Sequence, residues 1–200
     1  MKVIKVPTGG DFNANCYIVF NEENNQGFLI DPGFDGERID SYVESNNISL
    51  NAILLTHGHM DHVGAVDYFI NKYKLPVYIN EKDDECINKN VMVFGKIQKA
   101  NFYLEDGQIL NIAGIEIKVI ETPGHTPGGV CFLCNNILFT GDTVFRGSIG
   151  RTDFPGGDYE AIINSIINKI AILDDNIEVY PGHEGSSTIG MEKMLNPYFS

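Results

Sequence analysis

The run His57-Gly58-His59-Met60-Asp61-His62 places three of the chain's five histidines and a carboxylate within six positions, directly after the apolar run Ile53-Leu54-Leu55. The other two histidines, His125 and His183, each lie in a turn rich in Pro and Gly. Neutral imidazole is the commonest metal-ligating side chain, and carboxylates complete such shells. The sequence therefore predicts a fold that gathers these turns around a metal site.

The spacing within the run indicates two metal ions rather than one. His57 and His59 alternate, so in an extended or loop backbone their side chains point the same way. Asp61 and His62 follow at the expected junction between loop and helix. One short segment thus supplies two groups of ligands that face slightly different directions, which suits two adjacent metals.

Three further candidate ligands stand at the ends of predicted strands. They are His125 after Val119-Ile120-Glu121, Asp142 after the run 137–141, and His183 after Val179-Tyr180. Glycines accompany each one, as expected where the backbone passes close to a bound ion. For His125 or His183 alone a structural role would be the better interpretation, but together with the 57–62 run they favour a shared metal centre.

Charge and composition narrow the range of partners. The 200 residues carry a formal net charge of −13, and no stretch clusters Lys and Arg, which argues against a nucleic-acid partner and against an anionic membrane surface. No apolar run approaches the length that spans a bilayer, and residues 1–7 lack the features of a signal peptide. We therefore expect a single domain over residues 1–200, cytoplasmic and acting on a small molecule, with its oligomeric state left open.

Two of the four cysteines, Cys131 and Cys134, have the spacing of half a zinc knuckle. No second pair of this spacing exists in the sequence, so a structural zinc site built from four cysteines is not expected. The favoured interpretation is small buried residues of a strand in a reducing compartment. A redox pair is the alternative.

Hydrophobic periodicity predicts two runs of strands, each accompanied by helices. Strands are predicted over residues 3–6, 16–20, 27–31, 52–56, 77–79, 108–112, 115–121, 130–133, 137–140 and 177–180. Helices are predicted over residues 36–46, 63–73, 81–90, 159–173 and 189–195. Residues 91–104 show no readable pattern. The order suggests two similar halves, each a sheet covered by helices on its outer face, and so an α/β (α+β) fold of four layers.

Five motifs follow one another along essentially the whole chain. They occupy residues 29–33 (Leu-Ile-Asp-Pro-Gly), 56–62, 121–126, 139–143 and 180–183. In this order they resemble the motifs of the metallo-β-lactamase superfamily and, within it, those of the short glyoxalase II-like (hydroxyacylglutathione hydrolase-like) hydrolases. The resemblance implies an αββα sandwich with metals between the sheet edges. This agrees with the two similar halves that the hydrophobic periodicity predicts.

The resemblance also implies a role for each candidate. The first metal would be bound by His57, His59 and His125. The second would be bound by Asp61, His62 and His183. Asp142 would bridge the two metals, with Asp61 and Asp142 counted as catalytic, and Asp31 would position the ligand loop by hydrogen bonds. Two zinc ions are expected, with iron or manganese also compatible with imidazole and carboxylate ligands.

The expected reaction is hydrolysis of a thioester or ester. The metals would generate hydroxide from water at neutral pH and polarise the carbonyl that it attacks. No serine or cysteine nucleophile is needed, and the sequence shows no nucleophile-elbow motif.

Within the superfamily, the glyoxalase II-like branch fits best, including the stretch 146–157 that contains Arg151-Thr152-Asp153-Phe154. True β-lactamases are expected to resemble the chain less. Full-length glyoxalase II enzymes carry a helical C-terminal domain that helps to hold glutathione, whereas 17 residues follow His183 here, so the substrate stays open. Arg151 either contacts an anionic substrate or pairs with Asp153 to brace a loop, and bracing is favoured.

Two other functions compete with hydrolysis. The first is a persulfide dioxygenase on the same scaffold, in which His57, His59 and His125 with Asp142 would hold a single iron. The Arg-Thr-Asp-Phe run at 151–154 is similar to one in those enzymes. The second is a non-catalytic zinc-binding domain, which is disfavoured because structural zinc sites are normally closed and rich in cysteine.

Overall fold

The computed structural model of the protein describes residues 1–10 and 14–199. Within them the first half contains the strands β1 (Lys2–Thr8), β2 (Ala14–Asn21), β3 (Gln26–Ile30), β4 (Ser49–Leu54), β5 (Val77–Ile79) and β6 (Phe102–Tyr103). The second half contains β7 (Ile109–Ile112), β8 (Ile115–Glu121), β9 (Val130–Cys134), β10 (Ile137–Gly141), β11 (Val144–Phe145), β12 (Ser148–Ile149), β13 (Glu178–Pro181) and β14 (Ser187–Thr188). The helices are α1 (Gly36–Ser45), α2 (Met60–Val63), α3 (Val66–Tyr73), α4 (Glu81–Asn88), α5 (Tyr159–Ser165) and α6 (Ile189–Leu195), with a π-helical turn at Ile166–Ile170 and a 3₁₀ turn at Pro197–Phe199.

The strands of the described residues form two six-stranded sheets and one short ribbon. In the first sheet β1 to β6 lie side by side in chain order, antiparallel as far as β3 and parallel from β3 onward. The second sheet has the order β14-β13-β10-β9-β8-β7, in which β10 and β13 are parallel. The ribbon pairs β11 with β12. The strands β4, β8, β10 and β13 each lead into a turn that carries predicted ligands.

Three apolar clusters separate four layers. Helices α1 and α3 cover the first sheet with side chains such as Ile39 and Phe69. Residues of both sheets, such as Phe28 and Phe132, fill the space between the sheets. The outer face of the second sheet packs against three isoleucines spaced four residues apart, Ile162, Ile166 and Ile170. The expected αββα arrangement is confirmed, and burial of these apolar faces is what drives the layers together.

A buried carboxylate joins the two helices that cover the first sheet. Asp40 of α1 accepts a hydrogen bond of 2.9 Å from the Tyr68 hydroxyl of α3, and further ones from the Tyr73 hydroxyl and the Lys72 ammonium. Burial opposes ionisation of Asp40, but the hydrogen bonds from Lys72 and the tyrosines outweigh it and lower the pKa of this carboxyl. This cluster lies in the outer layer and serves the packing of α1 on α3.

Two predicted helices differ from the observed ones. The predicted helix 63–73 is two helices, α2 and α3, because the Ala65 N–H turns away to donate to the Pro32 carbonyl at 2.9 Å. The predicted helix 159–173 is α-helical only as far as Ser165 and continues as the π-helical turn, where the Ala171 N–H donates to the Ile166 carbonyl at 2.7 Å. The short strands β6, β11, β12 and β14 were not predicted, since two residues carry no periodic signal.

The cysteines agree with the buried interpretation. All four are free thiols, with Cys131 and Cys134 buried. Cys134 belongs to the cluster between the sheets and Cys131 to the outer cluster, so the two point to opposite faces of β9. Neither a zinc knuckle nor a redox pair can form from them.

In the described part of the chain, no helix has both the length and the apolar character needed to cross a membrane.

Candidate metal centre

Four of the predicted ligands lie in the segment that runs from the end of β4 into the first turn of α2. His57 and His59 lie in the loop, and Asp61 and His62 in the first turn of α2, which begins after His59 in extended backbone (φ −67°, ψ 151°). The three imidazoles are buried and Asp61 is half-buried. The predicted junction between loop and helix is therefore present.

Asp31, directly after β3, holds this loop from one side. Its carboxylate accepts hydrogen bonds from the Thr56 N–H at 2.7 Å and the Thr56 hydroxyl at 2.5 Å, and lies 2.9 Å from His62 Nδ1. Asp31 adopts a left-handed backbone with φ 50°, which Asp tolerates better than most residues. An ionised carboxylate only accepts, so His62 carries a proton on Nδ1 and Nε2 is left for a second partner.

Residues 93–95 hold the loop from the other side. The Met60 N–H donates to the Val93 carbonyl at 3.0 Å, and the Gly95 N–H donates to the Gly58 carbonyl at 3.0 Å. His59 and Phe94 form an isolated antiparallel bridge. Val93 has φ 74°, a rare conformation for a β-branched residue, and strain of this kind concentrates at functional sites.

The remaining predicted ligands come from three turns of the second sheet. His125 lies in the turn between β8 and β9, Asp142 directly follows β10, and His183 follows β13. The His183 turn is anchored by the first sheet, because the Asn15 N–H donates to the Gly182 carbonyl at 2.7 Å and Asn15 Nδ2 donates to the Pro181 carbonyl at 3.0 Å.

The His125 ring is oriented by a backbone carbonyl. Its Nδ1 lies 2.7 Å from the Arg151 oxygen. A carbonyl accepts only, so Nδ1 carries a proton and Nε2 is the ring nitrogen that is left to bind a metal. Nε2 in turn lies 2.9 Å from His59 Nδ1.

The turns bring six of the predicted ligands into two groups. In each group one candidate ligand atom per residue lies within 4.8 Å of the others. The first group is His57, His59 and His125, and the second is Asp61, His62 and His183. Candidate ligand atoms of Asp31, His57 and His62 also lie within 4.8 Å of one another. The Asp31 carboxylate, however, is already hydrogen-bonded to Thr56 and to the Nδ1 side of His62.

Asp142 contacts members of both groups. Its Oδ1 lies 3.3 Å from His62 Nε2, and its Oδ2 lies 3.4 Å from His125 Nε2 and 3.4 Å from His183 Nε2. It thus stands between the two groups, at the position where a bridging ligand was predicted.

Polar atoms without a partner converge at the centre of these groups. His57 Nε2, His59 Nε2, His62 Nε2 and Asp142 Oδ1 are buried without a hydrogen-bond partner among the described residues. Buried polar atoms are normally paired, so such a concentration needs an explanation. A Cβ at Gly182 would lie 2.3 Å from Asp142 Oδ1, so glycine is required for the close approach of this turn. The donor set and its unpaired atoms fit divalent cations.

Burial keeps His57 and His59 neutral. It is the largest cause that lowers the pKa of His57 well below the ordinary value, and neighbouring His62 adds to it. Burial and the nearby His125 lower the pKa of His59 to about 3. A neutral imidazole is the form that binds a metal.

The second group is more strongly coupled to carboxylates. Burial lowers the pKa of His183, but hydrogen bonds to Asp142 and Asp61 outweigh it and raise the pKa to about 10. Burial likewise opposes ionisation of Asp142, yet the adjacent His62 and His183 hold its pKa well below the ordinary value. The carboxylates are thus charged, and cations would replace the protons that His62 and His183 hold next to them.

Asp83 of α4 is a site residue that the sequence did not reveal. Its Oδ2 accepts from the Gly58 N–H at 2.8 Å and its Oδ1 accepts from the Gly128 N–H at 2.7 Å. Fully buried, it ties the His57–His59 loop to the His125 turn, and burial raises its pKa. In the sequence it stands within a charged, weakly patterned stretch, where no local signal marks it.

A family model described as the metallo-beta-lactamase superfamily matches residues 9–183. The chain belongs to the metallo-β-lactamase superfamily.

Relatives in this superfamily match nearly end to end. Hydroxyacylglutathione hydrolase GloC of Haemophilus influenzae is 38% identical, over 94% of this chain and 94% of that protein. The solved structure of BLEG-1, described as a B3 metallo-β-lactamase, has a TM-score of 0.92 with 32% identity and full coverage of both chains. TTHA1623, solved in a di-iron-bound form, has a TM-score of 0.84 with 33% identity, over 98% of this chain and 99% of that one. These similarities support a metal-dependent hydrolase.

The BLEG-1 match bears on the expected distance from β-lactamases. We expected true β-lactamases to resemble the chain less, yet a superfamily member described as one matches its whole length. Overall similarity therefore does not separate the branches.

A cavity of about 600 Å³ opens beside the ligand groups. It is lined by His59, Asp61, His125, Asp142 and His183 and by side chains of the α2 turn, residue 93 and the segment 145–154. Its size suits a small organic molecule. Ligand atoms from both groups thus face one accessible space.

Arg151 lines this cavity and forms an ion pair with Asp153. Arg151 Nε and Nη2 donate to the two carboxylate oxygens of Asp153, each at 2.7 Å. The guanidinium also stacks on Phe154, with its carbon 3.8 Å from the ring centroid. This arrangement is the one that the bracing interpretation predicts, and the same loop supplies the carbonyl that orients His125.

Proposed function

We propose that the protein is a dinuclear metal-dependent thioesterase of glyoxalase II type, with two zinc ions as its resident cofactors. The observation that carries this proposal is the position of Asp142 between two complete ligand groups. A single metal bound by the first group would leave Asp61, His62 and His183 with no metal to bind. The candidate ligand atoms of these three residues nevertheless lie within 4.8 Å of one another, as those of the first group do.

The residues that would hold the cations follow from the two groups. His57, His59 and His125 would bind the first, Asp61, His62 and His183 the second, and Asp142 both. When bound, such ions supply Lewis acidity, which lowers the pKa of water and polarises a carbonyl group. Asp61 and Asp142 are the groups that we count as catalytic, since both line the cavity in which the reacting carbonyl would lie.

The protein's own contribution is to fix the protonation and direction of each ligand. Burial keeps His57 and His59 neutral. The Arg151 carbonyl and the Asp31 carboxylate hold protons on Nδ1 of His125 and of His62, so that Nε2 of both rings faces Asp142. Such outer partners raise the basicity of ligating imidazoles and prevent their rotation.

The thioester substrate class rests on similarity and on the cavity. The relative GloC is named a hydroxyacylglutathione hydrolase, and hydroxyacylglutathiones are thioesters. The space beside the ligands accommodates a small organic molecule, whereas the net charge of −13 argues against nucleic acid.

The test is a paired assay of the zinc-loaded protein. We expect hydrolysis of S-lactoylglutathione or a simpler thioester, and no oxygen uptake when a persulfide is supplied in an oxygen electrode. Oxygen uptake by an iron-loaded preparation that hydrolyses no thioester would instead establish the persulfide dioxygenase. A β-lactam belongs in the same assay because of the BLEG-1 match, and hydrolysis of the β-lactam alone would also overturn the proposal.

A further inference from the structure

The cavity beside the ligand groups has an apolar wall. Five of its lining residues are apolar, namely Met60, Val93, Phe145, Ile149 and Phe154. Away from the ligands, the polar lining side chains among the described residues are Ser148 and Arg151. A substrate group that lies against this wall gains by being removed from water only if it is itself apolar.

The guanidinium at the cavity is already paired. Arg151 is the one Lys or Arg side chain among the described lining residues, and residues 11–13 contain neither type. Two of its nitrogens are committed to Asp153, and this pairing lowers the pKa of Asp153 to about 2, so the pair stays ionised at ordinary pH. A substrate carboxylate would have to bind the guanidinium beside a carboxylate that is already there.

The charge of the whole chain acts in the same direction. The formal net charge of −13 stays negative when two divalent cations are added, so away from the metals the protein lowers the local concentration of anions, and salt screens this effect. A strongly anionic carrier thiol is therefore disfavoured at long range as well as beside Arg151.

We infer that the cavity selects thioesters with an apolar acyl group on an uncharged or weakly charged thiol, rather than 2-hydroxyacyl thioesters of anionic carriers. This inference rests on the proposed thioesterase activity and names its substrate class. The relative GloC is named instead for thioesters of a hydroxyacyl group with glutathione.

The test compares matched substrates with the metal-loaded, full-length chain. Lactoyl and propanoyl thioesters of N-acetylcysteamine differ by one hydroxyl, and each rate is divided by that of alkaline hydrolysis to remove intrinsic reactivity. We expect the propanoyl compound to have the higher normalised kcat/KM, and kcat/KM to rise about fourfold per methylene from propanoyl to pentanoyl. Preference for the lactoyl compound would overturn the inference.

The carrier is tested by holding the acyl group constant. Butanoyl thioesters of N-acetylcysteamine, glutathione and coenzyme A carry increasing negative charge. At low ionic strength we expect kcat/KM to fall in that order, and the differences to shrink as salt is added. A coenzyme A or glutathione thioester preferred at low salt would contradict the inference.

Two variants assign these preferences to the residues that carry them. Asp153→Asn frees the Arg151 charge, so the ratio of kcat/KM for the glutathione thioester to that for the N-acetylcysteamine thioester should rise about twofold to fivefold at low salt. If Arg151 already bound the substrate carboxylate, this ratio would not rise. Ile149→Thr replaces the ethyl branch of the side chain with a hydroxyl, and it should flatten the dependence on acyl length more than the isosteric control Ile149→Val, with thermal melting as the check of folding.

The outcomes separate the inference from the proposed function. If no thioester of any kind is hydrolysed by the metal-loaded chain, the proposed function fails. If thioesters are hydrolysed with the opposite preferences, only the substrate class is wrong.

Discussion

The two sheets contribute to the ligand groups in different ways. The first sheet supplies four predicted ligands from one continuous segment, residues 56–62, which we call the ligand loop. The second sheet supplies three from separate turns, at residues 122–128, 141–143 and 180–184, which we call the ligand turns. The ligand loop has its ligands adjacent in the sequence, whereas the ligand turns are brought together only when β8, β10 and β13 join the same sheet.

The two regions are also held in place differently. The ligand loop is fixed by Asp31 on one side and by residues 93–95 on the other. The ligand turns depend on contacts from the opposite half, since Asn15 holds the His183 turn and Asp83 holds the Gly128 N–H. The centre therefore depends on docking of the two halves, with Asp142 and Asp83 as the residues that join them.

The largest effect is expected at Asp142, because both ligand groups contact it. Removing outer partners of a metal ligand costs about 10–100-fold in activity or metal affinity, so Asp142→Ala should cost more than about a hundredfold in kcat/KM. Metal analysis of the same preparation should show fewer ions per chain than in the parent. Asp175→Ala, which removes an exposed aspartate paired with Lys193, is the control, and a fully active Asp142→Ala would refute the bridging position.

A smaller and more local effect is expected at Asp31, which serves the ligand loop alone. Asp31→Asn replaces an acceptor with a donor facing Thr56 or His62, and should lower thioesterase activity about 10–100-fold. Because His62 belongs to the second group, metal titration should show one weakened site and one near-normal site. Equal weakening of both sites would contradict the assignment of His57 and His59 to one metal and of Asp61 and His62 to the other.

Asp83 joins the ligand loop to the turn that carries His125, but it belongs to neither ligand group. Asp83→Asn retains one acceptor for its two backbone N–H partners, so the free energy of unfolding should fall by about 1–3 kcal/mol. Metal affinity of the His57–His59–His125 group should fall by no more than about tenfold. Urea unfolding and metal titration measure the two quantities separately. Unchanged stability would contradict the role of this carboxylate as a link between halves.

The smallest effect on the centre is expected at Asp40, in the outer helical layer. Asp40→Asn should lower the free energy of unfolding by about 1–2 kcal/mol at pH 7 without changing metal content. Because the folded-state pKa of Asp40 is lowered, its contribution is present above the unfolded-state pKa and is lost as pH falls through the folded-state pKa. The stability difference between variant and parent should therefore shrink on acidification, and a difference that grows towards low pH would contradict this sign.

The same contrast explains what the sequence could and could not predict. The ligand loop was readable because His57, His59, Asp61 and His62 are neighbours in the chain. The turns at His125, Asp142 and His183 were found because strand patterns precede them. Their meeting in one metal centre was inferred from their combination with the 57–62 run, and the resemblance then implied which metal each would bind. Asp83 was not found, because its partners are backbone N–H groups 25 and 45 residues away.

Local periodicity also has a definite limit in the helices. The apolar positions of 159–173 predicted one α-helix, but a sequence pattern does not distinguish the π-helical turn at Ile166–Ile170 from a continuing α-helix. The break between α2 and α3 arises from a hydrogen bond to Pro32, a residue of the turn after β3. Both departures come from tertiary contacts.

We propose that one loop and three turns build a centre for two metal ions. Native mass spectrometry of the apo protein titrated with zinc counts these ions. We expect two zinc ions per chain at saturation, both removed by a chelator together with thioesterase activity and both required to restore it. Saturation at a single ion, with full activity, would contradict this proposal.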